Sequence, residues 1–480
     1  MDKTSPHLLR RRDWLRLAAG GAGLAALGGA GTLLGARSAQ ASDYRALVCI
    51  YLFGGNDGFN VLVPTDSARH EQYRSARGVL ALPKSALLPL GRSAYGLHPA
   101  MESLLPAWSA RRLAPIINVG PLAAPLTKAQ YLAEPDDSPL IPPSLFSHSD
   151  QQRAWESAST DPMARTGWGA RTCELLGTGS PVISVGGTSR FGTGDGAMAL
   201  ALPGPGGGFA AMGLRPDEVI YPANQKRQLA VDALYAEGQG RDLAEAFARM
   251  QREAFDTSGR LEALVAGKPG DGTVPAAIDR AFAGLIDGDT LSTPLAAQLY
   301  QIAKLIAGRR QLQGDRHIYF ASLTGFDTHA AQVLAGDATQ GVHAGLVRQL
   351  ADALAAFDNA MQGLGMGRQV TAFTHSDFGR TLVPNQSGGS DHGWGNIQLV
   401  MGGSVQGGAT YGRYPELVPG GPDDVGVAEW ERHGRWIPTS SVDQFAATLL
   451  EWFGASDSQI DNILPNLKAF GRDRSLGFMA

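Results

Sequence analysis

Ala46-Leu47-Val48-Cys49-Ile50-Tyr51-Leu52-Phe53 runs directly into Gly54-Gly55-Asn56-Asp57-Gly58-Phe59-Asn60. Eight consecutive apolar residues stopped by a glycine pair read as a strand buried on both faces, the pattern of a parallel sheet. Similar short runs recur at 113–118, 181–185, 317–323, 369–374 and 397–401. Between 342 and 361, Leu346, Leu350, Leu354, Phe357 and Met361 return every three or four residues, one apolar helical stripe. Strands alternating with helices predict an α/β fold, a doubly wound and mostly parallel sheet flanked by helices. Residues 224–312 break this rhythm, being rich in Ala, Leu, Gln, Glu and Arg without a strand-like run, and read as a helical insertion or cap. The Gly/Pro-rich stretch 186–213 reads as a surface loop; it holds no Gly-Lys-Ser/Thr, so a phosphate-binding P-loop is not supported.

The 480 residues set a soft bound of about three domains at ~150 residues each. The strand pattern reduces that to one α/β domain over 42–480 carrying the insertion. With 44% hydrophobic residues, wholesale disorder is excluded. Glycine is high, 62 residues against a norm of roughly 7%. No Gly-X-Y period accompanies it, so the excess belongs to turns and loops.

Arg10-Arg11-Arg12 precede Asp13-Trp14-Leu15-Arg16, an uncharged run from Leu17 to Leu34, and the small-residue site Ala39-Gln40-Ala41. This order reads as an export signal of the twin-arginine type occupying 1–41, which would place the mature chain in the periplasm or outside the cell. The competing reading is a membrane anchor, but an 18-residue run with six glycines falls short of the ~20 residues that span hydrocarbon. No other segment is long and apolar enough to span. Beyond residue 41 there are 35 basic and 43 acidic residues, a net charge of −8 that argues against nucleic-acid binding. Cys49, inside its apolar run, reads as a buried free thiol rather than half of a disulfide with Cys173.

Four segments place polar residues just after strand-like runs, where ligands bind in doubly wound sheets. Gly54 to Asn60 offers Asp57, as a metal ligand or simply as good turn chemistry. Ser147-His148-Ser149-Asp150 precedes a helical stretch, so Ser147 or Ser149 is a helix cap or an oxygen placed at the helix N-terminus to attack. Phe326-Asp327-Thr328-His329 puts a carboxylate and an imidazole two apart, a pairing suited to Zn, Mn or Fe. Last, His375-Ser376-Asp377-Phe378-Gly379-Arg380-Thr381 and Ser390-Asp391-His392-Gly393-Trp394-Gly395 form two acid–imidazole clusters across a glycine-bearing loop. Of nine histidines beyond the leader, His148, His329, His375 and His392 lie in these segments, and the clustering favours ligand roles for His329 and His392.

Taken in order, these motifs resemble the exported DUF1501 family, as do Gly407-Gly408, Tyr411-Gly412, Pro415 and Pro438-Thr439-Ser440-Ser441-Val442-Asp443-Gln444. The resemblance spans the mature chain. The family's function is not established; it is grouped with the alkaline phosphatase/sulfatase superfamily. The resemblance implies a metal-bearing sheet in which Asp57 matches the ligand after the first strand and Ser147 the helix-capping nucleophile. By the same resemblance Asp327 and His329 form one ligand pair, Asp377 is the late-strand carboxylate, and His392 is the final imidazole. Phe378 departs from the usual Asp-His at that strand end. Either Asp391-His392 supplies the imidazole or one metal site is altered. Asp377 also stands where the family commonly has Glu, and Ile397-Gln398 where some relatives have histidines.

The expectation is therefore a hydrolase of small or polymeric phosphate or sulfate esters using one or two divalent ions, Zn, Mn or similar. Ser147 or a water would attack, and Arg380 would act either as a fork donor to the transferring group or as a structural ion pair. The rival expectation is a non-catalytic exported binding or assembly protein, with a protein partner and at most one metal. A redox enzyme lacks a dinucleotide fingerprint or a paired-cysteine motif.

Overall fold

A computed structural model describes residues 44–135, 137–209, 220–237 and 242–480; the export signal expected at 1–41 lies outside them. The opening run forms β1 (Arg45–Leu52), and its alternate residues serve two different cores. Ala46, Val48, Ile50 and Leu52 join one apolar cluster, while Leu47, Cys49 and Tyr51 join another. Both faces being covered is what an uninterrupted apolar strand requires.

The chain continues through α1 (Ser67–Arg77), β2 (Leu113–Gly120), α2 (His148–Ser157), α3 (Trp168–Leu176), β3 (Ile183–Ser184) and β4 (Leu200–Ala201). Three helices follow, α4 (Pro222–Glu237), α5 (Asp242–Ala266) and α6 (Pro294–Ala307), then β5 (Arg316–Leu323), α7 (Val342–Gly363) and β6 (Val370–Ser376). The last elements named here are β7 (Asn396–Gly402), β8 (Tyr411–Gly412), β9 (Ser440–Ser441) and α8 (Val442–Phe453).

The main sheet has the order β8-β2-β7-β6-β1-β5-β3-β4, with β9 also paired to β2. It is mostly parallel, but β7 runs antiparallel to both β6 and β2. Strand direction has no signature in a short apolar run, and residues 397–401 looked like their parallel neighbours. On one face α6 and α7 contribute Leu299, Ile302, Val347, Leu350 and Leu354 to the first cluster. On the other, Trp155 of α2, Trp168 of α3 and Phe445 of α8 build the second. Cys49 and Cys173 are both buried and unpaired.

The 224–312 stretch holds most of α4, all of α5, a short helix Ala276–Phe282 and α6. These helices are not equivalent. The described side chains of α4 are all exposed or half-buried. α5 reaches the core through Leu261 and Val265, and α6 packs on the sheet as part of its helical layer. Among the described residues no helix is long and apolar enough to cross a membrane.

The register matters for the site. β1 pairs in step with β5 and β6, so Leu52, Leu323 and Ser376 end side by side. Three loops therefore leave neighbouring strands at one edge of the sheet, where strand carboxyl ends present their ligands.

Candidate metal centre

Gly54 and Gly55 follow β1 with φ of 110° and 81°. A Cβ on Gly54 would stand 2.4 Å from the Asp327 nitrogen, and one on Gly55 would stand 2.4 Å from the Phe378 ring. These glycines let the three loops touch, a conformation and an approach that a side chain would prevent. Asp327 follows β5 and Asp377 follows β6. His392 arrives from a loop bridged in antiparallel fashion to Arg380. The fourth contributor is His148, the first residue of α2.

Three imidazoles converge on one carboxylate. Asp327 Oδ1 lies 3.4 Å from His148 Nε2, 3.1 Å from His329 Nε2 and 3.5 Å from His392 Nε2. His148, Asp327 and His392 each offer a ligand atom within 4.8 Å of the others. His329 Nε2 stands 2.8 Å from His392 Nε2. Ligand atoms bound at 2.0–2.1 Å in a tetrahedron are about 3.3 Å apart, close to these separations, while His329 stands outside the mutually close group of His148, Asp327 and His392.

The far side of each ring fixes its proton. His148 Nδ1 meets Asp377 Oδ2 at 2.7 Å, His329 Nδ1 meets Asp391 Oδ1 at 3.1 Å, and His392 Nδ1 meets the Phe146 carbonyl at 2.6 Å. A carbonyl and ionised carboxylates only accept, so Nδ1 carries the hydrogen in all three rings and, in a neutral ring, Nε2 presents its lone pair inward. A carboxylate or carbonyl behind a ligating histidine is the usual orienting arrangement at metal sites. His148 Nε2 is buried and has no hydrogen-bond partner. Lone pairs facing one another across 2.8 Å, beside an orphaned ring nitrogen and a carboxylate, fit a divalent cation.

The hydrogen bond to Asp377 raises the His148 pKa, against burial, which makes its Nε2 a stronger ligand for a cation and favours its protonation without one. Burial lowers the His392 pKa, keeping that ring neutral. Burial alone would raise Asp327, but the Arg380 hydrogen bond and charge, with His148 and His329, hold its carboxyl below the usual range. Asp327 and His329 remain 47% and 45% exposed, so one side of the cluster opens to solvent.

The other expected residues stand elsewhere or behind. Arg380 is buried, and its Nη2 donates to Asp327, Gly54 O and, at 2.9 Å, Phe326 O. Its Nε donates to Gly55 O and its Nη1 to Ser390 O, at 2.9 and 3.0 Å. The fork expected to face an ester instead ties Asp327 to the glycine loop; of the two sequence readings, this geometry is the structural ion pair. Asp391 sits behind His329 and also accepts from Asn385 Nδ2 at 2.9 Å. Asp377 accepts from Gly54 N at 3.1 Å and orients His148.

Asp57 lies in a different, fully buried cluster. Its Oδ2 pairs with the Arg77 guanidinium and accepts from Gln332 Nε2 at 2.5 Å. Gln332 in turn accepts from Thr328 and Ser390 hydroxyls, so Asp57 braces the loops, and among the described residues no contact joins it to the imidazoles. Burial pulls the Arg77 pKa down to about 9.

Ser147 occupies the N-cap of α2, but its hydroxyl makes no cap bond; it donates to Asp150 Oδ2 at 2.8 Å. Among the described residues, no contact joins it to the imidazole cluster. Phe378, where a second imidazole was expected, packs its ring 4.8 Å from that of His148 and 4.5 Å from that of His392. His148 itself was legible only as a member of the Ser147–Asp150 segment.

Residues 215–428 match the family model described as a protein of unknown function, DUF1501. The match includes Asp327, His329, Asp377, Arg380, Asp391 and His392, and excludes Asp57, Ser147 and His148. No curated protein matches the chain. Among solved structures, the chain has a weak likeness to the crystal structure of Ps i-CgsB, with 11% identity and a TM-score of 0.37 over 89% of this chain and 77% of that one. The same protein in complex with k-i-k-neocarrahexaose gives 10% and 0.36 over the same shares.

Proposed function

We propose that the chain is an exported, single-metal hydrolase of phosphate or sulfate esters, of the DUF1501 family and the alkaline phosphatase/sulfatase-like superfamily. The observation that carries this reading is the inward convergence of three Nε2 lone pairs on Asp327, each ring held from behind. His148, His329, His392 and Asp327 would hold the ion. When bound, a divalent ion supplies Lewis acidity, lowering the pKa of water and neutralising charge on the transferring group.

The chain's own residues provide the rest. Asp377, Asp391 and the Phe146 carbonyl hold the three rings in the ligating tautomer. Arg380 is a positioning residue that fixes Asp327 against Gly54 and Gly55. The open face beside Asp327 and His329 admits an ester and water together. Water is favoured over Ser147 as the attacking group, because the Ser147 hydroxyl already points to Asp150.

A specific observation favours the second reading, an exported binding or assembly protein with one metal. Asp57 is neutralised by Arg77 and Arg380 is filled by carbonyls, so a second ion and a free fork donor both lack their expected residues. Metal counting on the full chain, followed by an aryl phosphate, aryl sulfate and phosphodiester panel, separates the two. Turnover that tracks metal content supports the hydrolase. One bound metal with no turnover on any ester supports the binding protein.

A further inference from the structure

The helix that supplies His148 carries a second polar stripe. Ser149, Gln152, Arg153 and Glu156 recur at helical spacing along α2, one position round from His148 and within two turns of about 5.4 Å each. They form one wall of an open cavity of about 450 Å³ whose other wall carries Arg165, Arg190 and three Ser or Thr residues. Every lining residue is polar, and three of the nine are arginines.

Two of those arginines are available. Arg153 is paired with Asp150 at 2.7 Å. Arg190 donates through Nη1 to the Ala164 and Arg165 carbonyls at 3.0 and 3.3 Å, which fixes the guanidinium while Nε and Nη2 have no partner among the described residues. The Arg165 guanidinium has none either. Glu156 accepts from the Arg190 backbone N–H at 2.9 Å and from Gln152 at 3.4 Å. Burial pushes its pKa up to about 7, so near neutrality it offsets the arginines only in part. A positive, hydroxyl-lined cavity on a chain of net negative charge is a place for an anion with a polar body. An aryl or alkyl group would find no apolar wall there.

We infer that this cavity is an anion subsite, and that the natural ester is a hydroxyl-rich molecule bearing a second phosphate or sulfate group held by Arg165 and Arg190 while the first lies at the metal centre. The inference rests on the hydrolase reading only for the fate of the first group.

Calorimetric titration of the full chain with sucrose octasulfate, myo-inositol hexakisphosphate, neutral sucrose and a single-stranded oligothymidylate tests it. The expected result is binding of at least one small polyanion, no binding of sucrose, and a loss of about tenfold or more in affinity in R165A/R190A at unchanged metal content. Comparison of the two polyanions distinguishes sulfate from phosphate. Arg165 is exposed, so R165A alone serves if the double variant fails to fold, and R165K/R190K should restore binding. No polyanion binding by the wild type, equal binding by R165A, or an arginine-dependent preference for the oligonucleotide would overturn the subsite. Polyanion binding in a chain that holds no metal would sink the hydrolase reading and leave the subsite standing.

Discussion

His392 Nε2 and His329 Nε2 face each other at 2.8 Å, and each ring has its Nδ1 donating outward, to the Phe146 carbonyl and to Asp391. Two neutral imidazoles in those tautomers have no hydrogen to share between them. The contact is stable only with a cation nearby or with one ring doubly protonated, and the lowered His392 pKa disfavours protonation of that ring.

The orienting carboxylates should therefore matter nearly as much as the ligands. Asp391→Ala removes the acceptor behind His329 and is expected to weaken metal affinity by about 10- to 100-fold. Asp377→Ala should do the same through His148. Competition with a chromophoric chelator measures both. Wild-type affinity in both variants would contradict the tautomer argument.

Asp57 separates the structure from the sequence expectation. As a ligand, its loss would strip the metal from a folded protein. As the partner of buried Arg77, its replacement by Asn leaves a guanidinium uncompensated and should cost about 3–5 kcal/mol of stability. Urea unfolding alongside metal counting distinguishes the cases: a large loss of stability with metal retained under native conditions is expected.

Ser147→Ala tests what attacks the ester. Loss of a true nucleophile costs on the order of 10⁶-fold in kcat. With water attacking and Ser147 serving Asp150, the variant should stay within about tenfold of wild type on the best ester, with metal content unchanged. A collapse of turnover at full metal loading would restore the serine to the mechanism.

Stability should fall as pH rises through the weakly acidic range. Burial raises the folded-state pKa of Glu156 and of Asp443 to about 7 each. A raised acid contributes stability that is fully present below its unfolded pKa and lost as pH climbs to the folded value, here between about pH 4 and 7. The loss is on the order of 3 kcal/mol for Glu156. Glu156→Gln and Asp443→Asn should each flatten this decline in denaturant unfolding followed from pH 4 to 8; an unchanged slope in both would remove these groups as its source.

Much of this was legible from composition and spacing. The run ending at Leu52, the stripe on α7 and the glycine pair before Asp57 placed the sheet and its ligand-bearing edge. Asp327, His329 and His392 announced themselves as acid–imidazole clusters, and the structure brings them together. His148 was hidden by its neighbour: a serine at a helix N-terminus attracts attention as a nucleophile, while which of two adjacent side chains faces inward depends on how α2 meets β6. Asp57 was misleading for a related reason. Its fate is decided by Arg77, which lies 20 residues on and reaches it only because α1 folds back. β8 and β9, two residues each, are too short to carry a periodicity.

Elemental analysis of the purified full chain beside His392→Ala tests whether His148, Asp327, His329 and His392 hold one cation. The wild type should carry about one equivalent of a divalent transition metal per chain, lost in the variant while circular dichroism shows the fold retained. A wild-type chain that takes up no metal when supplied with zinc or manganese, or a His392→Ala chain that keeps its full equivalent, would contradict it.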